Sequence, residues 1–143
     1  MTGASSSDNP ICVALDAPDP EETRRLARAT AAAGAHKIGL TAFASGGPAL
    51  VRDLAPATRL FLDLKLHDIP AQVSGAVAAV AGLDVAFTTI HSFGGTEMMR
   101  AAVDGAEDRV MVLAVTVLTS LDSDDLRALG VSADATAQVL HLA

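Results

Sequence analysis

Between Phe61 and Pro70 the sequence runs Phe-Leu-Asp-Leu-Lys-Leu-His-Asp-Ile-Pro, placing Asp63, Lys65, His67 and Asp68 within six residues of an otherwise apolar stretch. Two carboxylates flanking an ammonium form an acid–base–acid array, and clustered, mutually perturbing charges mark sites of chemistry. In a β-strand, Phe61, Asp63 and Lys65 would share one face, while Leu60, Leu62 and Leu64 would share the other. Asp68 would sit just past the strand end, where Pro70 pre-sets the first turn of a helix. A lone Asp-x-Lys can be a salt bridge that merely satisfies two partly buried charges. Here the strand is too apolar to be a solvated edge, the charges lie at its end, and a third follows at the turn. Burying several charges is costly before pairing offsets it, so the cluster is read as a functional site.

The elements that must position this array follow from the rest of the chain. Residues 1–9 are small and polar and are expected to be a flexible leader, with residues 10–143 forming the folded part. A first strand is expected over Ile11–Leu15, ending at Asp16. Asp19 is placed as an N-cap, with Pro20 at the first helical position and Glu22 completing a capping box; that helix is expected to run to Gly34. A second strand, Ala35–Gly39, carries Lys37, which a buried strand tolerates only opposite a negative charge. Gly46-Gly47 is placed as a turn, with Pro48 starting a helix to about Ala55. Arg59–Lys65 is the third strand, and Pro70–Ala81 a helix closed by Gly82. Asp84–His91 is the fourth strand, Thr96 caps a helix to about Asp104, and Val110–Thr116 is the fifth. A loop through Thr119 and Ser120 leads to a short helix near Asp124–Leu129 and a helical stretch from about Ala133.

The strand ends recur about every 25 residues, the period of strand–helix units in either a doubly wound sheet or a (β/α)8 barrel. Polar groups recur with them: Asp16, Lys37, Asp63 with Lys65, His91, and Thr119 with Ser120. A barrel makes such ends converge on one mouth, so the fold class expected is α/β, a parallel TIM-barrel type. Eight units need roughly 200 residues or more. About five of eight are present, so the chain is read as the N-terminal portion of a barrel, from a truncated gene or a fragment.

Half of the 143 residues are hydrophobic, yet there is no Trp or Tyr and only four Phe, so the core must be aliphatic, as in helices packed on a parallel sheet. A net charge of −7 without a basic patch argues against nucleic acid and anionic membranes as partners. Cys12 is the sole cysteine, which excludes an internal disulfide and a cysteine zinc cluster; it is expected to be a small core residue. With no signal segment and no apolar run of membrane-spanning length, a cytoplasmic protein is expected. His67 is placed as structural, and His91 as a supporting residue near the site.

In family order, Val13-Ala-Leu-Asp16, Lys37-Ile-Gly39, Phe61 to Pro70, His91 with Gly94-Gly95, Met98-Met99 with Ala101-Ala102, and Val115-Thr-Val-Leu-Thr-Ser120 resemble the orotidine 5′-phosphate decarboxylase family. The resemblance extends over nearly the whole chain from residue 11. Asp-x-Lys-x-x-Asp is shared with sister enzymes acting on sugar phosphates. The His-Asp-Ile-Pro and Val-Thr-Val-Leu-Thr-Ser segments point more specifically to the nucleotide decarboxylase. The resemblance implies that orotidine 5′-monophosphate is decarboxylated to uridine 5′-monophosphate with no metal or organic cofactor. It makes Lys65 the proton donor to C6, sets Asp63 against the departing carboxylate, and gives Lys37 and Asp16 the ribose. Asp68 would complete the neighbouring subunit's site across a homodimer, and Thr119 and Ser120 would meet the pyrimidine edge. Where the family continues Ile-Pro with Asn-Thr, this chain has Ala71-Gln72, so Gln72 would offer an amide in place of a hydroxyl. The family's phosphate-gripping Arg and mobile loop, from the last barrel strands, have no counterpart here. The alternatives kept open are a non-catalytic barrel fragment and a sister sugar-phosphate decarboxylase or aldolase.

Overall fold

The computed structural model describes residues 9–143. Five parallel strands, β1 (Cys12–Ala14), β2 (Ala35–Ile38), β3 (Leu60–Leu66), β4 (Phe87–His91) and β5 (Met111–Val115), form one sheet in the order β1-β2-β3-β4-β5. Helices α1 (Pro20–Ala29), α2 (Leu40–Leu54), α3 (Pro70–Ala81) and α4 (Gly95–Ala106) return the chain between successive strands, and α5 (Ser123–Ala128) and α6 (Ala135–Leu142) follow β5. The expected leader lies outside the described residues except for Asn9. Its side-chain amide donates to the Ala32 carbonyl at 2.7 Å, and its Oδ1 accepts from the Ile11 N–H at 3.0 Å.

The sheet has two different faces. Leu15, Ile38, Leu60, Leu62 and Ile90 pack against Leu50, Val73, Val77, Met98 and Ala102 of the helices to make the core. On the opposite face the register aligns Ala14, Lys37, Phe61, Phe87 and Met111 across all five strands. Phe61 meets Phe87 edge to face at 5.9 Å, and the Arg59 guanidinium lies 4.5 Å over the Phe87 ring. These residues line a cavity of about 450 Å³ at the N-terminal end of that face, with Cys12 on its wall. Cys12 is therefore exposed rather than a core residue: its position in β1 shares the face of Ala35, opposite the packed helices.

Local departures from the sequence expectations have identifiable causes. Helix α1 stops at Ala29, short of Gly34. The Thr30 hydroxyl donates to the Leu26 carbonyl at 2.7 Å and meets His36 Nε2 at 2.7 Å, and the Gly34 and Ala35 N–H groups are already committed to the Ile11 carbonyl. Asp19 caps α1, but Glu22 pairs with Arg25 instead of closing the box. Helix α2 begins before the expected turn: residues 40–46 are helical, Gly47 supplies a left-handed kink at φ 56°, and Pro48 restarts the helix. Thr96 lies inside α4, because a 3₁₀ turn at Ser92–Gly94 leads into it. Helix α5 has a capping box of Asp122 and Asp125. No helix among the described residues is long and apolar enough to cross a membrane.

Candidate active site

At the C-terminal ends of β1, β2 and β3 the structure brings Asp16, Lys37, Asp63 and Lys65 into one alternating row. Lys65 Nζ donates to Asp63 Oδ1 and Oδ2 at 2.8 and 2.9 Å. Lys37 Nζ lies 3.6 Å from Asp63 Oδ2 and 3.3 Å from Asp16 Oδ1. This is the negative partner that a lysine inside β2 requires. The side chain of Asp63, inside the row, is 13% exposed and that of Asp16, at one end, is 53% exposed, so the row is driest at Asp63 and most solvated at Asp16. Gly39, at the start of α2, leaves room for it: a Cβ there would lie 2.7 Å from Asp16 Oδ1 and 3.2 Å from Lys37 Nζ.

Strict alternation along β3 does not describe how Asp63 and Lys65 come together. Leu62 pairs with Thr88 and Leu66 with Ile90, so Asp63, Leu64 and Lys65 together oppose Thr89 alone. Such a bulge re-aims side chains, and Lys65 adopts a left-handed backbone at φ 49°, uncommon for a residue with a side chain. The buried Thr89 hydroxyl accepts from the Lys65 N–H and donates to Asp63 Oδ1, both at 2.8 Å. Burial pushes the Asp63 carboxyl up, but hydrogen bonds from Lys65 and Thr89 and the charges of Lys65 and Lys37 outweigh it. Its pKa lies below the ordinary carboxylate value, and Asp63 is a fixed anion at neutral pH. Thr89 and Gly39 are the residues whose part at the site the sequence did not reveal; the available signal was the pair of hydroxyls, Thr88-Thr89, between the apolar Phe87 and Ile90 of β4.

The other expected site residues lie apart from this row. Asp68 is exposed, accepts from the Ile69 N–H at 2.6 Å, and forms no ion pair among the described residues. It shares a cleft of about 190 Å³ with Gln72, Val73 and Ala76, and lines a second, open depression with the exposed Ile69 and Phe93. Thr119 and Ser120 are exposed in the loop after β5; Thr119 lines a cavity with Leu121 and Val139. The rings of His67 and His91 are 5.5 Å apart and border an apolar cavity under α5 with Phe93, Leu118 and Leu126. Burial, then the nearby His67 and Lys65, hold the His91 imidazole below its ordinary pKa. Among the described residues no cluster of three His, Cys, Asp or Glu is placed to hold a metal ion.

A row of alternating fixed charges at strand ends is suited to stabilising charge that develops on a bound molecule and to delivering a proton from an ammonium. Comparison with known proteins finds relatives over most of the chain. It is 51% identical over 137 residues to an orotidine 5′-phosphate decarboxylase of Thermobifida fusca, covering 94% of this chain and 58% of that protein. An Anaeromyxobacter dehalogenans protein of the same name is 51% identical over 135 residues, covering 93% and 60%. The chain thus spans about three-fifths of the length of these curated relatives. The crystal structure of orotidine 5′-phosphate decarboxylase from Lactobacillus acidophilus superposes with a TM-score of 0.86 at 34% identity, covering 95% of this chain and 66% of that one. The fold is accordingly a partial TIM barrel, five parallel β/α units of the α/β class. The sequence model of one family matches residues 9–143, and the chain belongs to that family, Orotidine 5′-phosphate decarboxylase / HUMPS.

Proposed function

We propose that the protein containing this chain is a cofactor-independent carboxy-lyase that converts orotidine 5′-monophosphate to uridine 5′-monophosphate, the closing reaction of pyrimidine nucleotide synthesis in the cytoplasm. The observation that carries this proposal is the Asp16–Lys37–Asp63–Lys65 row, with Asp63 anionic and hydrogen-bonded to the Lys65 ammonium. Asp63 is set against the substrate carboxylate, and the repulsion between them disappears as neutral CO2 leaves. The C6–carboxyl bond breaks with its electron pair remaining on C6. Lys65 Nζ stabilises that charge without reorganisation and then delivers its proton to C6, to be reprotonated from solvent. Lys37 and Asp16 orient the ribose, and Thr119 and Ser120 meet the pyrimidine edge. Asp68 and Gln72 serve the partner's site in a homodimer; the cleft they share, and the depression that Asp68 borders with the exposed Ile69 and Phe93, support that assignment.

The test joins this chain to the part of the Thermobifida fusca relative that it does not match, and follows orotidine 5′-monophosphate absorbance in single-turnover mode. The chimaera should turn over substrate, and Lys65→Ala should abolish turnover while leaving nucleotide binding largely intact, because a group acting mainly in the transition state lowers kcat without an equal loss of affinity. Residual activity within about tenfold of the parent would remove Lys65 from the proton-donor role. Lys65→Ala and Asp68→Ala chains, each nearly inactive alone, should regain activity on mixing; failure despite demonstrated subunit exchange would place Asp68 in its own subunit's site.

A further inference from the structure

Resting on that decarboxylase assignment, we propose that Thr89 is a positioning residue for the reaction, its one hydroxyl fixing the Asp63 carboxylate and the Lys65 ammonium relative to each other. The geometry of the bulge leads there. Where three residues of β3 face one of β4, the regular ladder is interrupted, and a buried backbone N–H left without a partner is costly. At Lys65, whose backbone turns left-handed, the partner is Thr89 Oγ1 at 2.8 Å rather than a carbonyl. An ionised carboxylate can only accept hydrogen bonds, so the proton of that hydroxyl must point at Asp63 Oδ1, 2.8 Å away. Asp63 Oδ1 in turn accepts from Lys65 Nζ at 2.8 Å.

Lys65 is thus held at both ends of its side chain, through its backbone N–H and through its ammonium, in a ring that closes through one oxygen atom of β4. Thr89 is 4% exposed, so water is poorly placed to replace that oxygen. Thr88 provides a built-in contrast: its hydroxyl is fully buried and donates to the Leu62 carbonyl at 3.1 Å, a backbone contact away from the charged row. A purely structural threonine would behave like Thr88, whereas Thr89 bonds to both charged residues.

The test compares Thr89→Val, Thr89→Ser and Thr88→Val. In the intact chain, the Asp63 carboxyl is titrated by carbon-13 NMR; in the chimaera described above, kcat and KM are measured separately. Thr89→Val removes a donor to the charged form, so the Asp63 midpoint should rise by roughly one pH unit, and kcat should fall about 10- to 100-fold with KM changed less than about threefold, as expected for a misplaced reacting group. Thr89→Ser, which keeps the hydroxyl, should retain the parent midpoint and stay within about threefold in kcat. Thr88→Val should lower thermal stability without moving the Asp63 midpoint. An unmoved midpoint in Thr89→Val, an equal shift in Thr88→Val, or a Thr89→Ser chain as impaired as Thr89→Val would overturn the proposal, and the serine comparison decides even where Thr89→Val does not fold. If the parent chimaera turns over substrate and Thr89→Val matches its kcat, this inference alone fails; if the folded parent has no turnover, the decarboxylase assignment fails and this inference with it.

Discussion

Gly39→Ala disturbs the charged row without altering a single charge. The Gly39 backbone, φ −90° and ψ −176°, suits any L-residue, so the effect on the row is one of space. The new Cβ would stand 2.7 Å from Asp16 Oδ1, whereas ordinary contact begins at 3.4 Å, so the carboxylate must retreat by about 0.7 Å. That lengthens the 3.3 Å Asp16–Lys37 approach to about 4 Å. With an effective dielectric of about 20, the attraction falls from about 5 to about 4 kcal/mol. The loss of about 1 kcal/mol shrinks further because Asp16 is half exposed. Alanine at a compatible backbone angle returns about 0.4–1 kcal/mol by restricting the unfolded chain, a gain that its poorer fit at the N-cap of α2 offsets in part. Stability should therefore be nearly unchanged, with Tm within about 3 °C of the parent by circular dichroism. Activity should not be spared, since displacing a positioning group by this order of distance costs about 10- to 100-fold. Turnover within twofold of the parent chimaera, or a Tm loss above about 5 °C, would refute this account of why Gly39 lies beside the row.

Two further outcomes follow from glycine packing and from histidine titration. A Cβ at Gly105 in α4 would lie 2.4 Å from the Ser74 backbone carbonyl of α3, whereas one at Gly75 in α3 meets nothing within 4 Å; Gly105→Ala should lose about 1–3 kcal/mol to overpacking against a helix-propensity gain of about 1 kcal/mol, and Gly75→Ala should keep only the gain. Thermal melts that do not place Gly105→Ala below Gly75→Ala would contradict the close α3–α4 contact. His91 stays neutral in the fold to a lower pH than in the unfolded chain, so its contribution to stability is complete above about pH 6.5 and is lost as pH falls toward its lowered folded pKa. His67→Ala removes one cause and leaves burial, so the His91 midpoint by NMR should rise while staying below about 6.5; an unchanged midpoint would mean that His67 exerts no influence.

The residues that sequence made legible are those whose chemistry conflicts with their surroundings. Asp63, Lys65 and Lys37 stand out because charges inside apolar strands need partners, and the partners prove to be one another. The recurrence of strand ends gave the parallel order because it depends on hydrophobic runs and helix stops, which are local. What stayed hidden depends on register between strands. The bulge at Asp63–Lys65 has no turn residue to announce it, and only the pairing of β3 with β4 shows it, with Thr89 opposite. Cys12 was misplaced for a related reason: in a three-residue strand, apolarity does not say which face looks toward the helices. The early start of α2 escaped because Gly46-Gly47 signals a turn, while the chain uses Gly47 only to kink a helix that has already begun.

The row of two carboxylates and two ammonium groups sums to zero charge, and this sets how a ligand experiences it. The field of a neutral, alternating array dies away much faster than that of a single ion, and its links of 2.8–3.6 Å lie well inside a screening length of about 8 Å at physiological ionic strength. Dissolved salt therefore modulates how an anion approaches a chain of net charge −7 but barely alters what happens once it arrives. The row does not draw molecules in from a distance; it discriminates at contact, by the pattern in which charge is distributed over the visitor rather than by how much charge the visitor carries.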